Sequence, residues 1–377
     1  MAAPAGATHY LPITMPSGIV AANMPDVGST FAADLVIDQA AAINYEGGAG
    51  AFIDGLEAGC TDLRVFTDDT LIEVPFGIKQ FSQVAGSRKL ILGLGIPSTY
   101  PLLSSSDTTY RLYRGCTGGT FENKAGTCPA ADGYVRNDPL EEQNSGAAAG
   151  AALYRDWVNN ALTGLDYVSN TGKGGQIGDG QQFDGANDYI NCGDADALDG
   201  FAAFTIMGWI KYSSEAAALV VDKNQAWYVY VAGTNRLYAH IGAGGGIVYP
   251  DYVGIIGDGL WHHFAFTYDA AAGINNCIPY LDTAVGNMKT TTGNIQANAS
   301  PLQLGGRNGT YPFLGSLDEI ILCNVARSAN WIAAYYAITN NNAAAWTVGD
   351  VVAVGGGGPH ILRSQIMRVG PSLAGLR

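Results

Sequence analysis

The stretch from Gly180 to Tyr212, GQQFDGANDYINCGDADALDGFAAFTIMGWIKY, constrains the fold of this chain more than any other. Its Asp184-Gly185 pair supplies the positive φ that a tight turn needs, so a short strand turns sharply there. After an acidic loop that contains glycine, two sets of side chains alternate from Phe204 to Tyr212 with the period of a strand. The stretch therefore predicts paired β-strands.

Further segments extend this pattern along the chain. FDGANDYI and FTIMGWIKY are followed by LWHHFAFTYD, which begins at Leu260, and by FLGSLDEIILCNVARS, which begins at Phe313. In order and spacing they resemble the motifs of the laminin-G-like, concanavalin-A-type jelly roll: FDG-x-x-DYV, F-T-hydrophobic-x-x-W, W-H-x-hydrophobic-x-x-TYD and G-x-hydrophobic-DE. The resemblance implies a jelly roll from Gln181 to about Asn342. Aromatic and aliphatic side chains at helical spacing predict a short closing helix over Arg327 to Ile338.

The first part of the chain also reads as β-structure. Short β-rich runs are separated by Gly, Pro, Asp and Ser turns, a spacing typical of a sandwich. The segments DLRVFTDD, VPFGIKQF, KLILGLGIP and TTYRLYRG resemble an uncharacterised β-domain that commonly precedes laminin-G-like domains. Helix and loop both stay open for Ala40 to Cys60. The runs predicted as strands are Tyr10 to Ile13, Asp34 to Ile37, Leu63 to Phe66, Ile72 to Phe76, Lys89 to Leu94 and Thr108 to Tyr113.

These patterns predict an all-β protein made of two β-sandwich domains in series, followed by an extended C-terminal arm. The expected limits are 1–132 for the N-terminal sandwich, 133–342 for the jelly roll and 343–377 for the arm. Within the jelly roll, Ala147 to Val158 could form one or two helical turns.

The predicted arm differs from the body in charge. It contains a glycine hinge, Gly355 to Gly358, and no acid after Asp350. Such a basic arm on an acidic body predicts docking on copies of the same chain or on other subunits of an assembly, and a frayed terminus is the alternative. The arginines expected to act in docking are Arg363, Arg368 and Arg377.

The net charge and the composition of particular segments limit which binding partners and which location are expected for the protein. The formal net charge of −14 argues against nucleic acid, because phosphate binding needs clustered Lys and Arg. No apolar run is long enough to span a membrane, and the first residues lack the basic and apolar regions of a signal peptide. The family occurs in bacteriophage structural proteins and in secreted adhesive proteins. We therefore expect a virion component, capsid-decorating or tail-associated, with a secreted carbohydrate-binding module expressed without its leader as the alternative.

The six cysteines show no zinc-site spacing. Cys116 and Cys128 bracket a glycine-rich loop, CTGGTFENKAGTC, and could close it as a disulfide. The others lie in or beside apolar strands, where a lone cysteine is usually a small buried hydrophobe.

An acidic loop carries the only candidate cofactor site, for Ca²⁺. Its oxygen ligands suit Ca²⁺, which takes six to eight. Alternatively, Asp184 makes the turn and Asp188 caps a loop amide. The candidate ligands are Asp184, Asn187, Asp188 and Asp194.

Aromatic residues cluster near the middle of the jelly roll and form a candidate site for a cell-surface glycan. Aromatic faces hold sugar rings by apolar contact, although half of any alternating set is simply core. The candidates are Trp227, Tyr228, Tyr249 and Tyr252.

No constellation points to catalysis, and the protein is expected not to be an enzyme. Asp318 and Glu319 are neighbours in a strand and should face opposite sides, one towards a loop amide or an ion and the other towards solvent. Of His262 and His263, one should pack inward, and His263 is expected to be a satisfied interior group. The motifs GxSxG, GxGxxG after a strand, HExxH and the P-loop are absent.

Overall fold

The computed structural model describes residues 3–24, 29–46, 48–69, 71–117, 122–158, 162–214 and 216–354. It confirms an all-β protein that contains a jelly roll. A short helix, α1 (Ala49–Asp54), lies in the stretch that the sequence left open. The strands of the N-terminal region are β1 (His9–Met15), β2 (Thr30–Asp38), β3 (Arg64–Thr67), β4 (Phe76–Ser82), β5 (Lys89–Pro97) and β6 (Thr108–Arg114).

One predicted strand of this region is wrong. Ile72 to Phe76 pairs only through a single bridge between Phe66 and Glu73, and β4 begins at Phe76 instead. Pro75 precedes that start and has no N–H to donate to a ladder, which explains why regular pairing begins after it.

The remaining elements follow the helix α2 (Lys124–Thr127). The jelly-roll strands are β7 (Tyr134–Asp138), β8 (Ala151–Tyr154), β9 (Gly164–Tyr167), β10 (Gln181–Asp184), β11 (Tyr189–Asn191), β12 (Ala203–Tyr212), β13 (Ala218–Asp222), β14 (Trp227–Ala232), β15 (Arg236–Ala243), β16 (Gly246–Val248), β17 (Trp261–Asp269), β18 (Cys277–Leu281), β19 (Ala284–Val285), β20 (Gln303–Leu304) and β21 (Leu314–Cys323). The last elements of the described chain are α3 (Ala329–Asn340), α4 (Asn342–Ala345), β22 (Thr347–Val348) and β23 (Val352–Ala353).

Two of these elements concern sequence predictions. The closing helix is present as α3, whose N-terminus is capped by the Ser328 hydroxyl accepting from the Trp331 amide. The helical turns considered between Ala147 and Val158 are not formed, because Ala151–Tyr154 pairs with β9 as a strand. Pairing in the sheet outweighs the helical propensity of alanine there.

The jelly roll consists of two sheets. The eight-stranded sheet has the order β16-β15-β14-β13-β20-β11-β9-β8. The seven-stranded sheet has the order β10-β21-β12-β17-β18-β19, and β7 pairs with β21. Their inner faces share one core, to which β12 contributes Phe204, Ile206 and Ile210.

The N-terminal region is a second sandwich, and strands from the far end of the chain complete it. Its five-stranded sheet has the order β22-β1-β6-β3, with β23 also paired to β1, and its three-stranded sheet has the order β2-β5-β4. Residues 343–354, which the sequence assigned to the arm, therefore belong with the N-terminal sheets, because Val348 and Val352 lie opposite Ile13 and Tyr10 of β1. The arm arginines Arg363, Arg368 and Arg377 lie outside the described residues.

The two sandwiches are joined by a continuous core. The outer face of the seven-stranded sheet, including Met207, Ala265 and Ile321, packs in the same cluster as α3 and the N-terminal sheets. This explains why both alternating sets of β12 are apolar, since both of its faces are covered. The outer face of the eight-stranded sheet carries half-exposed side chains instead, and it is the face where a site can be sought.

The cysteines do not cross-link the chain. All six lie within the described ranges as free, buried thiols, so the disulfide considered between Cys116 and Cys128 is not formed. Cys116 packs in a small cluster with Phe66 and Tyr113, whereas Cys128 lies in the main core, beside Asn137. Burial raises the pKa of Cys128 to about 12, so its thiol is unreactive at neutral pH.

Among the residues that the structure describes, no helix is both long and apolar enough to cross a membrane.

Candidate functional site

The outer face of the eight-stranded sheet is built by strict alternation in β14 and β15. In β14, Trp227, Val229 and Val231 point into the core, while Tyr228 and Tyr230 lie half-buried on the outer face. Because Tyr228 lies opposite His240 and Tyr230 lies opposite Tyr238, the outward side chains of β15 join them on that face.

These side chains form an aromatic patch, which we define as Tyr228, Tyr230, Tyr238, His240 and Tyr249. The rings of Tyr228 and His240 stack with centroids 4.2 Å apart, and those of Tyr230 and Tyr238 stack at 5.4 Å. Tyr249 meets the edge of His240 at 5.2 Å and is 46% exposed. The patch therefore offers a preorganised aromatic surface, held by its own ring contacts, to the solvent.

Burial keeps the Tyr228 and His240 side chains of the patch uncharged at neutral pH. Burial raises the pKa of Tyr228 to about 12, and burial also lowers the pKa of His240 below its usual value. The neutral His240 ring donates from Nε2 to the Gln225 carbonyl oxygen at 3.1 Å. Its Nδ1 is buried and finds no hydrogen-bond partner among the described side chains and backbone.

An arginine borders the patch. The Arg307 guanidinium lies 6.0 Å from the centroid of the Tyr228 ring. Its Nε and Nη2 donate to the two carboxylate oxygens of Asp222 at 2.8 and 2.7 Å, a bidentate pair. Asp222 lies between Tyr228 and Gln303 in the sheet register, so the ion pair extends the aromatic patch towards the middle of the sheet.

The predicted glycan residues divide into two groups. Tyr228 and Tyr249 lie in the aromatic patch, but Trp227 and Tyr252 are 1% and 0% exposed and belong to the core, so they cannot contact a ligand on the surface. The reason for Trp227 is the alternation of β14, which turns it inward. His240 and Arg307 were missed, whereas Tyr230 and Tyr238 belong to the same aromatic cluster in the sequence but were not among the four candidates. A role in glycan binding stays a prediction for Tyr228 and Tyr249.

The predicted calcium ligands do not converge. Asp184 Oδ1 accepts from the amides of Ala186 and Asn187 at 2.8 and 3.3 Å, which makes the turn. Asp188 accepts from the amides of Ser169 and Asn170, and Asp194 pairs with Lys223 elsewhere on the rim. In the described ranges, no group of three His, Cys, Asp or Glu side chains is placed to hold a metal ion. The calcium site stays a prediction, and these contacts match the structural alternative.

Asp318 and Glu319 do not face opposite sides as the sequence predicted. The pairing of β12 and β21 shifts between Met207 and Trp209, and Glu319 takes a φ of 52° in the resulting bulge. Asp318 accepts from the amides of Gln176 and Ile177 at 2.7 and 2.9 Å, as expected for one of the pair. Glu319 was expected to be in solvent, but it is 1% exposed and bonds to Lys79 of the N-terminal sandwich. Both carboxylates are therefore buried.

Of the two histidines of β17, one packs inward as predicted, but it does not make the hydrogen bonds that were expected of it. His262 lies between Asp282 and Asp258, with nitrogen–oxygen distances of 2.7 and 3.1 Å. His263 is fully buried beside the Trp209 and Tyr335 rings, and burial lowers its pKa to about 3. Neither of its ring nitrogens has a hydrogen-bond partner in the described part of the chain, so the expectation of a satisfied group is wrong.

Comparison with known families identifies the jelly roll. Residues 184–333 match the family model of the concanavalin A-like lectin/glucanases superfamily, of the laminin G type. This region is therefore a laminin-G-like domain, as the sequence motifs predicted. No curated protein matches the chain.

Several solved structures are similar to part of the chain. The binding domain of Paraclostridial Mosquitocidal Protein 1 is 17% identical over 54% of this chain and 52% of its own, with a TM-score of 0.40. A Trypanosoma rangeli sialidase is 13% identical over 60% of this chain and 34% of its own, also with a TM-score of 0.40. The CBM40 of a Ruminococcus gnavus sialidase, bound to α2,3-sialyllactose, is 14% identical over 41% and 95%, with a TM-score of 0.32.

Proposed function

We propose that this protein is a non-enzymatic binding protein whose laminin-G-like domain contacts glycans through the aromatic patch. The observation that carries the proposal is the set of stacked rings, whose tyrosines are partly exposed around a buried His240, on the jelly-roll face that the N-terminal sandwich leaves open. The description of the matching superfamily, which names lectins and glucanases, supports a carbohydrate ligand.

The chemistry of the patch suits sugars. Each sugar ring has an apolar face of C–H groups that packs on an aromatic ring and a rim of hydroxyls that needs hydrogen bonds. Tyr249 offers an exposed ring beside His240, and the Tyr228 hydroxyl remains protonated at neutral pH, so it can both donate and accept hydrogen bonds. Because the rings are already held by one another, little side-chain entropy is lost when a ligand binds.

The positions of the acidic groups support the proposal of binding without catalysis. Glycoside hydrolysis needs two carboxyl groups on either side of the scissile bond. At the border of the patch, both oxygens of Asp222 are occupied by Arg307, and the paired acids of the DE motif are buried in the joint between the sandwiches. The geometry at this face therefore favours a lectin-like role.

Substitution of the patch tyrosines tests the proposal. Tyr228→Ala and Tyr249→Ala are each expected to weaken binding to the preferred ligand of a glycan array roughly fivefold, since an aromatic stacking contact contributes about 1 kcal/mol. Ile274→Ala is the matched control, because Ile274 is 80% exposed in the loop between β17 and β18 of the other sheet. Unchanged binding in both tyrosine variants, with cooperative unfolding retained, would place the glycan site elsewhere or remove it.

We further propose that the chain is a bacteriophage virion component that displays this face, as a capsid-decorating or tail-associated subunit. The basic character of residues 355–377 beside an acidic body supports this, and the N-terminal region resembles a β-domain that occurs in secreted and in bacteriophage proteins. A secreted adhesion protein is the alternative.

The mass of the native particle tests the virion proposal. The full chain is expected to form or join a large symmetric assembly in light scattering, whereas a chain that ends at Val354 is expected to remain a small folded species. If both chains are monomers alone and in the presence of candidate virions, the virion proposal is wrong, while the glycan proposal is unaffected.

A further inference from the structure

We propose that the aromatic patch takes an uncharged glycan and holds it without a divalent cation, because the charges around it are already neutralised by the chain itself. This inference rests on the proposed glycan-binding function and specifies its ligand. Two sets of contacts support it: the ion pairs of the arginines at the patch, and the position of Lys223 on the adjacent rim.

The arginines at the patch are ion-paired. Arg307 binds Asp222 through two parallel hydrogen bonds and keeps 31% of its side chain exposed. Arg236 lies two residues before Tyr238 in β15, on the same face, and its Nη2 is 3.6 Å from Asp251 Oδ2. An acidic sugar would have to compete with these carboxylates for the guanidinium groups and would meet their negative charge.

An ion-paired arginine can still donate hydrogen bonds to an uncharged ligand. A guanidinium has five N–H donors in a fixed plane, and Asp222 takes two of the five from Arg307. The remaining donors are held in place by the ion pair and can reach sugar hydroxyls without contributing net charge. Arg307 thus acts at this face as an oriented hydrogen-bond donor rather than as an anion receptor.

Next to the face, Lys223 occupies an oxygen cage. Its Nζ lies 2.5 Å from Asp194 Oδ1 and 3.4 Å from Asp199 Oδ1. It also donates to the carbonyl oxygens of Asn298 and Ser300 at 3.0 and 2.5 Å. The Lys223 side chain is fully buried. Two carboxylates and two carbonyls are oxygen donors of the kind that Ca²⁺ takes, and here the ammonium lies among them.

The cage ties together three rim loops. Asp194 and Asp199 belong to the acidic loop after β11, Lys223 follows β13, and Asn298 and Ser300 precede β20. Two more hydrogen bonds connect the same loops. The Asn298 side chain donates to the Lys223 carbonyl oxygen at 3.1 Å, and the Asn298 backbone amide donates to Asp199 Oδ1 at 3.2 Å. The ammonium therefore supplies the positive charge that these loops need, and a metal ion is not required to fix them beside the patch.

A panel of ligands tests the charge of the glycan. Purified full-length protein is expected to bind neutral oligosaccharides at least tenfold more tightly than their sialylated, uronic or sulfated counterparts. Affinity is expected to change less than about twofold between low and high salt, since screening acts on net charges. Tighter binding of acidic glycans, or a steep loss with salt, would overturn the inference but leave glycan binding itself established. Binding of no glycan at all would instead overturn the proposed function.

Calcium titration tests the cage independently of any sugar. The melting temperature of the unmodified protein is expected to be the same in EDTA and in millimolar Ca²⁺, and so is its glycan affinity. Lys223→Ala is expected to melt at a lower temperature in EDTA and to recover part of the loss in Ca²⁺, because its oxygen donors are then left unpaired. Lys211→Ala, at an exposed position of β12, is the control and should respond to neither. A calcium-stabilised native protein, or a folded Lys223→Ala variant that ignores Ca²⁺, would contradict this assignment.

Discussion

Replacing Lys79 with methionine is expected to lower the free energy of unfolding by about 3–5 kcal/mol, the usual cost of removing one partner from a buried ion pair. Lys79 lies in β4 of the N-terminal sandwich, with only 2% of its side chain exposed. Its Nζ is 2.8 Å from Asp34 Oδ1 and also bonds to Glu319 of the jelly roll. Without the ammonium, two carboxylates remain in the joint between the sandwiches with no countercharge.

The pH dependence of this loss identifies its cause. Burial raises the pKa of Glu319 well above its ordinary value, and Lys79 opposes that shift. In Lys79→Met the opposition is gone, so the folded state takes up a proton more readily than the unfolded state does. An acid whose pKa is raised by folding destabilises the protein above its unfolded pKa and is relieved as the pH falls. The penalty is therefore expected to be smaller at pH 5 than at pH 8, as measured by denaturant unfolding.

Lys89→Met is the matched control for the lysine variant. Lys89 lies in β5 of the same three-stranded sheet and pairs with Asp38 at 3.0 Å, but 30% of its side chain is exposed. Exposed pairs contribute about 0.2–1 kcal/mol, so a loss of that size with little pH dependence is expected. If Lys79→Met and Lys89→Met lose the same free energy of unfolding, the pairing of Lys79 with Asp34 and Glu319 does not hold the sandwiches together. Adding Glu319→Gln to Lys79→Met should restore part of the stability, since one uncompensated charge is removed.

The case of Asp318 and Glu319 shows where alternation in the sequence stops being informative. Alternation holds in β14, where Tyr228 and Trp227 lie on opposite faces, although the sequence analysis made both of them candidates for the same glycan site. It failed at Glu319, because one extra residue in a bulge turns that side chain towards the N-terminal sandwich. A bulge depends on how two distant strands pair, and no local pattern around Glu319 encodes it.

The joint between the sandwiches was also beyond the sequence. The motifs predicted the jelly roll because each of them marks a turn or strand of that fold. Which jelly-roll face stays open depends instead on packing between distant segments. Trp157, for example, lies across the cross-strand pair of Gly77 and Gly93, where a β-carbon would come within 2.5 and 2.8 Å of its ring. Glycine at both positions makes room for the indole, but either glycine alone would read as a turn.

The shared core also gives the aromatic patch its setting. α3 and the outer face of the seven-stranded sheet pack in the joint. The jelly roll therefore contacts the N-terminal sandwich through that face, and the outer face of the eight-stranded sheet remains open. Because the joint includes buried charges as well as apolar contacts, the two sandwiches are expected to unfold together. A ligand bound at the patch is then held on a rigid two-sandwich body rather than on a module that swings on a linker.

Deleting residues 343–377 is expected to abolish folding, because the described part of this segment completes the N-terminal sandwich. Trp346 is fully buried, stacks edge-on with Tyr110 at 6.4 Å and donates from Nε1 to the Asp34 carbonyl at 2.7 Å. β22 and β23 pair with β1 beyond it. Loss of one buried tryptophan costs about 3–5 kcal/mol, and a domain has about 5–15 kcal/mol in total, so losing the strands as well leaves no stable fold. The expected result is aggregated protein without a cooperative thermal transition.

Three further variants test this prediction when the chain that lacks residues 343–377 cannot be purified. A chain that ends at Val354 retains Trp346, β22 and β23 and is expected to melt like the full protein in calorimetry. Trp346→Phe keeps an aromatic ring in the core but loses the indole hydrogen bond to β2, and it should melt between the full protein and Trp346→Ala. β2 is an edge strand, and its neighbouring edge groups are satisfied by Asn342, which accepts from the Val36 amide at 2.8 Å. The order of melting temperatures thus reports on edge protection as well as burial. If Trp346→Ala melts with the full protein, the C-terminal segment does not support the N-terminal sandwich, and the predicted limit at 342 describes the folded unit after all.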